Sequence, residues 1–257
     1  MKGTPWKPLS KKPLLPDPEN RTHLSLPAMK PINRYLDHAV LKPEMSTAEA
    51  EEAIRLGLKY EVRTVCVRPC DIDLAREMVA GTSTEVCVVL GFPHGCGLSV
   101  CKAAEAEAYI ARGVQEIDMV ANYGRILSAD WKAVGDDIEA VLGVTRPADT
   151  LLKVIFETSM LDLDAIRKTT RICADLGADY VKTSTGFNGA GANEEVVGAM
   201  LEAAEGRIRV KPSGGIRNYA QARRFVDMGA HRLGVGSGST AVICEGTQPE
   251  TESGNAY

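Results

Sequence analysis

Two lysines, Lys182 and Lys211, carry the first chemical signal in this chain. The run Asp179-Tyr-Val-Lys-Thr-Ser-Thr-Gly-Phe187 reads as a short strand that ends in Lys182 and passes into small hydroxyl residues and a glycine. Ile208-Arg-Val-Lys-Pro-Ser-Gly-Gly-Ile-Arg217 repeats that layout around Lys211. A lysine at the end of a buried strand is costly unless its charge is matched or lost. Burial favours the neutral amine, and a neutral amine adds to carbonyls to give a Schiff base. Two such amines on neighbouring strands repel, so one is expected to release its proton near neutral pH. Asp118, inside Glu116-Ile-Asp-Met-Val120, supplies a carboxylate that pairs with the remaining cation and relays protons through water. The trio suits imine chemistry, with Lys182 as nucleophile, Lys211 as its electrostatic partner and Asp118 as the proton-transfer group. Lys153, in Leu-Leu-Lys-Val-Ile, and Asp37 put further charge into strand-like runs.

Glycines follow the same strands. Gly186 comes after the Lys182 strand, Gly214 and Gly215 after the Lys211 strand, and Gly236-Ser237-Gly238 after the last apolar run. Glycine lets backbone N–H groups approach an anion closely, and a helix N-terminus adds a favourable dipole. The pattern therefore predicts a phosphate cradle at Gly186, Gly214, Gly215, Gly236 and Ser237, and a small phosphorylated carbonyl compound as substrate.

Such residues need a scaffold that brings strand ends together. Eight strand-like runs begin near residues 36, 63, 85, 116, 151, 179, 208 and 231, each followed by a helical pattern. The last is expected over His231–Gly234, the first over Tyr35–Leu41, and a single helix around Trp131–Leu142 follows the Asp118 strand. Ser46-Thr-Ala-Glu49 has the form of a capping box, and Asn218 stands where a helix cap is needed. The intervals are long enough for crossovers and too long for hairpins, which implies parallel pairing. A doubly wound sheet usually has fewer strands and opens its first turn with a glycine motif, whereas this chain has Lys42-Pro43-Glu44 there. The sequence thus predicts a (β/α)₈ TIM barrel over residues 31–245. A proline-spaced N-terminal extension (1–30) precedes it and a short tail (246–257) follows. In such a barrel the catalytic groups gather at the C-terminal ends of the strands.

Composition agrees with a globular enzyme and excludes some partners. Hydrophobic content is 44% and the formal net charge is −4, so neither nucleic acid nor an anionic membrane surface is expected to bind. No apolar run approaches a bilayer span, and the N-terminus lacks the apolar core of a secretory signal. Seven cysteines without disulfide-framework spacing indicate reduced thiols and a cytoplasmic location. Cys66 with Cys70, and His94 with Cys96 and Cys101, lack the paired spacing of a zinc site. Cys66 alternates with valines and reads as a small buried hydrophobe.

Several of these motifs match a known pattern. Asp-His-x-x-Leu-Lys-Pro at 37–43, Gly-Phe-Pro-His-Gly at 91–95, Glu-Ile-Asp-Met-Val at 116–120, Leu-Lys-Val-Ile at 152–155, Lys-Thr-Ser-Thr-Gly-Phe at 182–187 and Lys-Pro-Ser-Gly-Gly-Ile-Arg at 211–217 together resemble the deoxyribose-phosphate aldolase family. The resemblance implies a class I aldolase that cleaves 2-deoxy-D-ribose 5-phosphate reversibly to acetaldehyde and D-glyceraldehyde 3-phosphate. It also implies no metal or organic cofactor, a Schiff base on Lys182 whose pKa Lys211 depresses, and proton transfer by Asp118. Gly186, Gly214 and Gly215 match its phosphate loops. Two positions depart from it: Ala39 stands where threonine is common, and Gly236 where the family's last loop commonly has a serine. Some members end in a tyrosine that reaches the active site, a role that would fall to Tyr257. Two other readings stay open on the residues alone. One is a Schiff-base aldolase or transaldolase with a hydroxyketone donor; the other is a non-catalytic sugar-phosphate binding barrel. Outer helix faces and the extension leave room for a homodimer.

Overall fold

The computed structural model describes residues 30–247. Most of the expected extension and tail, Tyr257 included, lies outside the described residues. Eight strands form one parallel sheet in the order β7-β6-β5-β4-β3-β2-β1-β8. They are β1 (Leu36–Val40), β2 (Thr64–Val67), β3 (Glu85–Leu90), β4 (Glu116–Val120), β5 (Leu151–Ile155), β6 (Tyr180–Lys182), β7 (Arg209–Lys211) and β8 (Leu233–Gly236). The β7/β8 seam is joined by a parallel bridge between Ser213 and Gly234, and the Gly234 N–H donates to Pro212 O at 2.8 Å. This closes the sheet into the expected (β/α)₈ barrel.

Helices α1 (Thr47–Lys59), α2 (Ile72–Val79), α3 (Ser99–Ala111), α4 (Tyr123–Leu127), α5 (Trp131–Thr145), α6 (Leu163–Leu176), α7 (Glu194–Ala204), α8 (Tyr219–Asp227) and α9 (Ser237–Glu245) surround it. Their starts follow local chemistry. Ser46 and Glu49 form a reciprocal capping box at α1, Asn193 caps α7 and Asn218 caps α8. Each such cap satisfies an otherwise unpaired N–H and contributes about 1 kcal/mol. Helix α1 buries Ala50, Ala53, Ile54 and Gly57, one stripe at helical spacing. No helix among the described residues is long and apolar enough to cross a membrane.

Strand alternation sorts the side chains into two populations. Leu36, Val40, Val65, Val67, Ile117, Met119, Leu152, Val154, Val181, Val210, Leu233 and Val235 belong to the main apolar core under the helices. The alternate positions face the barrel axis, and they include the charged residues Asp37, Glu116, Asp118, Lys153, Lys182 and Lys211. In β4, Ile117 and Met119 go outward while Glu116 and Asp118 go inward.

Two strand limits and one crossover differ from the sequence reading. The first strand is shorter than Tyr35–Leu41, because Ile32–Tyr35 forms a 3₁₀ turn. The last strand is Leu233–Gly236 instead of His231–Gly234. Its apolar alternation is carried by Leu233 and Val235, and its inward positions are glycines, which mask the pattern. A Cβ at Gly234 would lie 2.3 Å from Ser213 Oγ, so only glycine fits that seam. The β4 crossover also holds two helices where one was expected. Asn122 caps the short α4, and Asp130 then restarts the chain as α5.

Candidate active site

Register brings the two lysines together. In the β6/β7 pair, Tyr180 faces Arg209, Val181 faces Val210 and Lys182 faces Lys211. Both amines then reach one carboxylate oxygen: Asp118 Oδ2 lies 2.8 Å from Lys182 Nζ and 2.6 Å from Lys211 Nζ. Lys153, from β5, takes the other oxygen, with Nζ 2.8 Å from Asp118 Oδ1. All four side chains are buried. The trio expected from the sequence is therefore one cluster, and Lys153 is its fourth member.

The cluster continues toward the bottom of the barrel. Lys153 Nζ also lies 2.5 Å from Glu116 Oε2 and 3.4 Å from Asp37 Oδ2, while Lys211 pairs with Asp37 Oδ2. Arg232 bridges Asp37 Oδ1 at 2.6 Å and Glu116 Oε1 at 2.9 Å, and Thr64 Oγ1 donates to Asp37 Oδ1 at 2.7 Å. Inside the barrel, Asp37, Glu116 and Asp118 thus face Lys153, Lys182, Lys211 and Arg232. Burial alone would raise the Asp118 carboxyl, but the charges of Lys153, Lys182 and Lys211 outweigh it and hold the group well below the ordinary carboxylate range. Against the same burial, Arg232, Lys153 and Lys211 hold Asp37 down, and Lys153 and Arg232 do so for Glu116. Burial opposes the charge on Lys153, yet Asp118 and Asp37 keep its ammonium pKa well above the usual lysine value.

Glu116 and Arg232 were not among the sequence candidates, and Lys153 was noted there as strand-borne charge without a role. The alternation Glu-Ile-Asp held the signal for Glu116, since it places Glu116 and Asp118 on one face. Glu157 was also missed. It follows β5, has a left-handed backbone with φ 59°, and is fully buried. Its Oε1 accepts the Thr185 N–H at 3.1 Å, and its Oε2 accepts from Thr185 Oγ1 and, at 3.0 Å, from Asn188 Nδ2. Asn188 Nδ2 also donates to Pro93 O at 3.3 Å. Glu157 and Asn188 thereby tie the loops after β3, β5 and β6 together just beyond Lys182.

The glycine positions lie at the same end. Gly186 (φ 85°) and Gly214 (φ 85°) are left-handed, and a Cβ on Gly214 would come 3.5 Å from Gly186 Cα and 3.0 Å from Gly191 Cα. The loops after β6 and β7 therefore touch backbone to backbone, an approach that glycine permits. Gly215 (φ 77°) is exposed beside them. Gly236 stands at the N-cap of α9 with no side-chain cap, and Ser237 begins the helix. Ser237 also lines a groove with Leu56 and Lys59 of α1. The buried His38 ring anchors this helix: Nε2 donates to Ala53 O at 2.8 Å and Nδ1 accepts from Thr240 Oγ1 at 2.7 Å. Ala39 and Gly236, the two departures noted above, are register partners across β1 and β8.

On the far side of the mouth, Phe92 and Phe187 meet edge to face at 5.1 Å. They pack on the inward cluster of Ala39, Leu41, Cys66, Cys87 and Val89. Cys66 is buried as expected, but it faces the barrel interior. Cys70, Cys96 and Cys101 are exposed. A cavity of about 350 Å³ beside this wall is lined by Leu41, Arg68, Val89, Phe92, Tyr109 and Phe187, among others. The lysines are not in its lining.

Buried amines that share a carboxylate, at the mouth of a parallel barrel, are equipped for covalent carbonyl chemistry. Comparison with known proteins points the same way. Residues 32–242 match the DeoC/LacD family of aldolases. The chain is 42% identical to a deoxyribose-phosphate aldolase of Mannheimia succiniciproducens over 205 residues, 80% of this chain and 91% of the relative. Among solved structures, a putative deoxyribose-phosphate aldolase from Coccidioides immitis superposes with a TM-score of 0.80 at 36% identity, covering 86% of this chain and 88% of that one. A deoxyribose phosphate aldolase from Aeropyrum pernix, described as a tetramer, gives 0.76 at 26% identity, with 83% and 89% covered. With a family match across nearly the whole barrel and the lysine cluster inside it, this chain belongs to the DeoC/LacD family of aldolases.

Proposed function

We propose that this protein is a class I aldolase that reversibly cleaves 2-deoxy-D-ribose 5-phosphate to acetaldehyde and D-glyceraldehyde 3-phosphate. The observation that carries the reading is the sharing of Asp118 Oδ2 by Lys182 and Lys211. Lys182 and Lys211 place two like charges on one carboxylate oxygen, so full ionisation of both amines is opposed by their repulsion. Lys153 lies against Asp37, Glu116 and Asp118, and Lys211 against Asp37 and Asp118. Lys153 keeps its proton, held by Asp118 and Asp37. Lys182, which shares its Asp118 oxygen with Lys211, is the amine that gives its proton up and attacks the substrate aldehyde.

Addition gives a carbinolamine, and loss of water gives the iminium. The iminium accepts the electron pair of the C2–C3 bond as the C3 hydroxyl loses its proton. Glyceraldehyde phosphate leaves, and the enamine is protonated at C2. Hydrolysis then frees acetaldehyde and Lys182. Asp118 works as a relay through water: its low pKa keeps it an unprotonated acceptor at rest, ready to take a proton and pass it on at once, while its two oxygens keep three amines in place. The loops at Gly186, Gly214, Gly215, Gly236 and Ser237 hold the phosphate. The reaction calls for no metal or organic cofactor.

The protein acts in the reducing cytoplasm as a homodimer. Light scattering tests the assembly: a dimer has twice the 27.6 kDa of the chain, and a monomer or tetramer would replace it. The activity is tested by coupled detection of glyceraldehyde phosphate released from deoxyribose 5-phosphate. Wild type should turn over and Lys182→Ala should not; retained turnover in the variant removes Lys182 from the mechanism.

A further inference from the structure

Two thiols stand beside the lysine cluster, and the aldolase reaction uses neither. Cys66 of β2 and Cys87 of β3 are register partners on adjacent parallel strands, and both side chains are buried on the axis side. The next strand contributes Asp118. The two Sγ atoms and an Asp118 carboxylate oxygen all lie within 4.8 Å of one another, with Cys87 Sγ 3.2 Å from Asp118 Oδ1. A tetrahedral zinc-like ion with bonds of about 2.3 Å to sulfur and about 2.0 Å to oxygen needs its donors roughly 3.5–3.8 Å apart. From separations of 4.8 Å or less, the widest pair has at most about 1.3 Å to close to reach that spacing.

We propose that Cys66, Cys87 and Asp118 form a binding site for a soft divalent cation, and that occupancy switches the lysine cluster off. Two sulfur donors select thiophilic ions such as Zn²⁺ or Cd²⁺ over Mg²⁺ or Ca²⁺. The charge balance selects them too. Each thiol loses its proton as its sulfur bonds the metal, so a dication enters, two protons leave, and the net charge of the barrel is unchanged. A hard cation that left the thiols protonated would add two charges beside Lys153, Lys182 and Lys211. Binding has a direct consequence for the amines. Asp118 Oδ1 now bonds the metal instead of Lys153, and Lys153 Nζ also loses its contact with Cys87 Sγ at 3.3 Å. The relay carboxylate is thereby withdrawn, and the ion takes up space next to the nucleophile. The site stands on its geometry whether or not Lys182 is that nucleophile.

The probe is Cd²⁺ added to the full chain carrying Cys70→Ser, Cys96→Ser and Cys101→Ser, which removes the exposed thiols. One Cd²⁺ per chain should bind, with a thiolate-to-metal charge-transfer band, and X-ray absorption should find two sulfur neighbours. Adding Cys66→Ala or Cys87→Ala should weaken binding by more than about 100-fold, beyond the cost of losing an outer-shell partner. Borohydride labelling by acetaldehyde should vanish with Cd²⁺ and return with a chelator. Absence of binding, fewer than two sulfur neighbours, or a band that survives both alanine variants overturns the site. Full labelling of the loaded protein overturns the switch. The sulfur count is taken with both thiols intact, so it decides the matter even if an alanine variant fails to fold.

Discussion

Replacing Lys211 with leucine isolates the electrostatic part of the mechanism. Lys182 and Lys211 hold the same Asp118 oxygen at 2.8 and 2.6 Å. Their nitrogens can therefore be at most about 5.4 Å apart, and at an effective dielectric of about 20 two full charges so placed repel by about 3 kcal/mol or more. Each 1.36 kcal/mol is about one pKa unit, so removing the Lys211 charge should raise the pKa of the nucleophile by about two units. The same substitution frees Asp118 Oδ2 and Asp37 Oδ2 to favour the Lys182 ammonium, which acts in the same direction. The acid limb of kcat/KM should move up by about two pH units, costing about 100-fold at neutral pH and recovering in alkali. The assay is initial rate against pH, run beside the pH dependence of imine trapping, with circular dichroism to establish folding. A folded variant whose acid limb stays in place, or whose rate falls equally at every pH, refutes the repulsion argument.

Other consequences are equally measurable. Asp118→Asn keeps the shape but not the relay charge, and turnover should fall by roughly 10²-fold or more; near-normal kcat would remove Asp118 from the chemistry. Glu157→Gln breaks part of the anchor on Thr185 and Asn188, interactions worth about 1.5–3 kcal/mol for a charged acceptor. KM for the phosphorylated substrate should rise about tenfold while Lys182 still labels, and an unchanged KM would make Glu157 merely structural. Gly236 has φ −65° and ψ 148°, a backbone open to serine. Gly236→Ser should lower KM for the phosphorylated substrate and leave a non-phosphorylated aldehyde unaffected; equal effects on both would place this loop away from the phosphate. Asp37, Glu116 and Asp118 all have folded-state pKa values below their unfolded ones. Below about pH 4 the unfolded chain takes up protons that the folded barrel refuses, so their stabilisation, full above about pH 5, is lost on acidification by up to about 4 kcal/mol per pH unit. Urea midpoints compared at two acidic pH values test this, and a flat profile contradicts it.

Much of this architecture was legible in the chain because it is written locally. Ser46, Asn193 and Asn218 announce helix starts, and Lys182 and Lys211 end strands whose lengths match. Equal placement on neighbouring parallel strands is enough to make the amines register partners. Features that depend on which distant strand comes alongside were harder to read. Cys66 and Cys87 meet because β2 pairs with β3 in one register. Arg232 reaches Asp37 and Glu116 only once the barrel is closed. The same closure demands glycine at Gly234, and that glycine weakens the strand signal of β8. Glu157 left little trace, because a buried acid just past a strand shows its purpose only when Thr185 and Asn188 fold over it.

The most direct test is to trap the enzyme with acetaldehyde and borohydride, digest it, and find the modified residue by mass spectrometry. A single ethyl adduct on Lys182, absent when Lys182 is replaced by alanine, is the expected result. An adduct on Lys211 or Lys153 in the wild-type protein, or none at all, would contradict the assignment of Lys182 as the amine that bonds carbon.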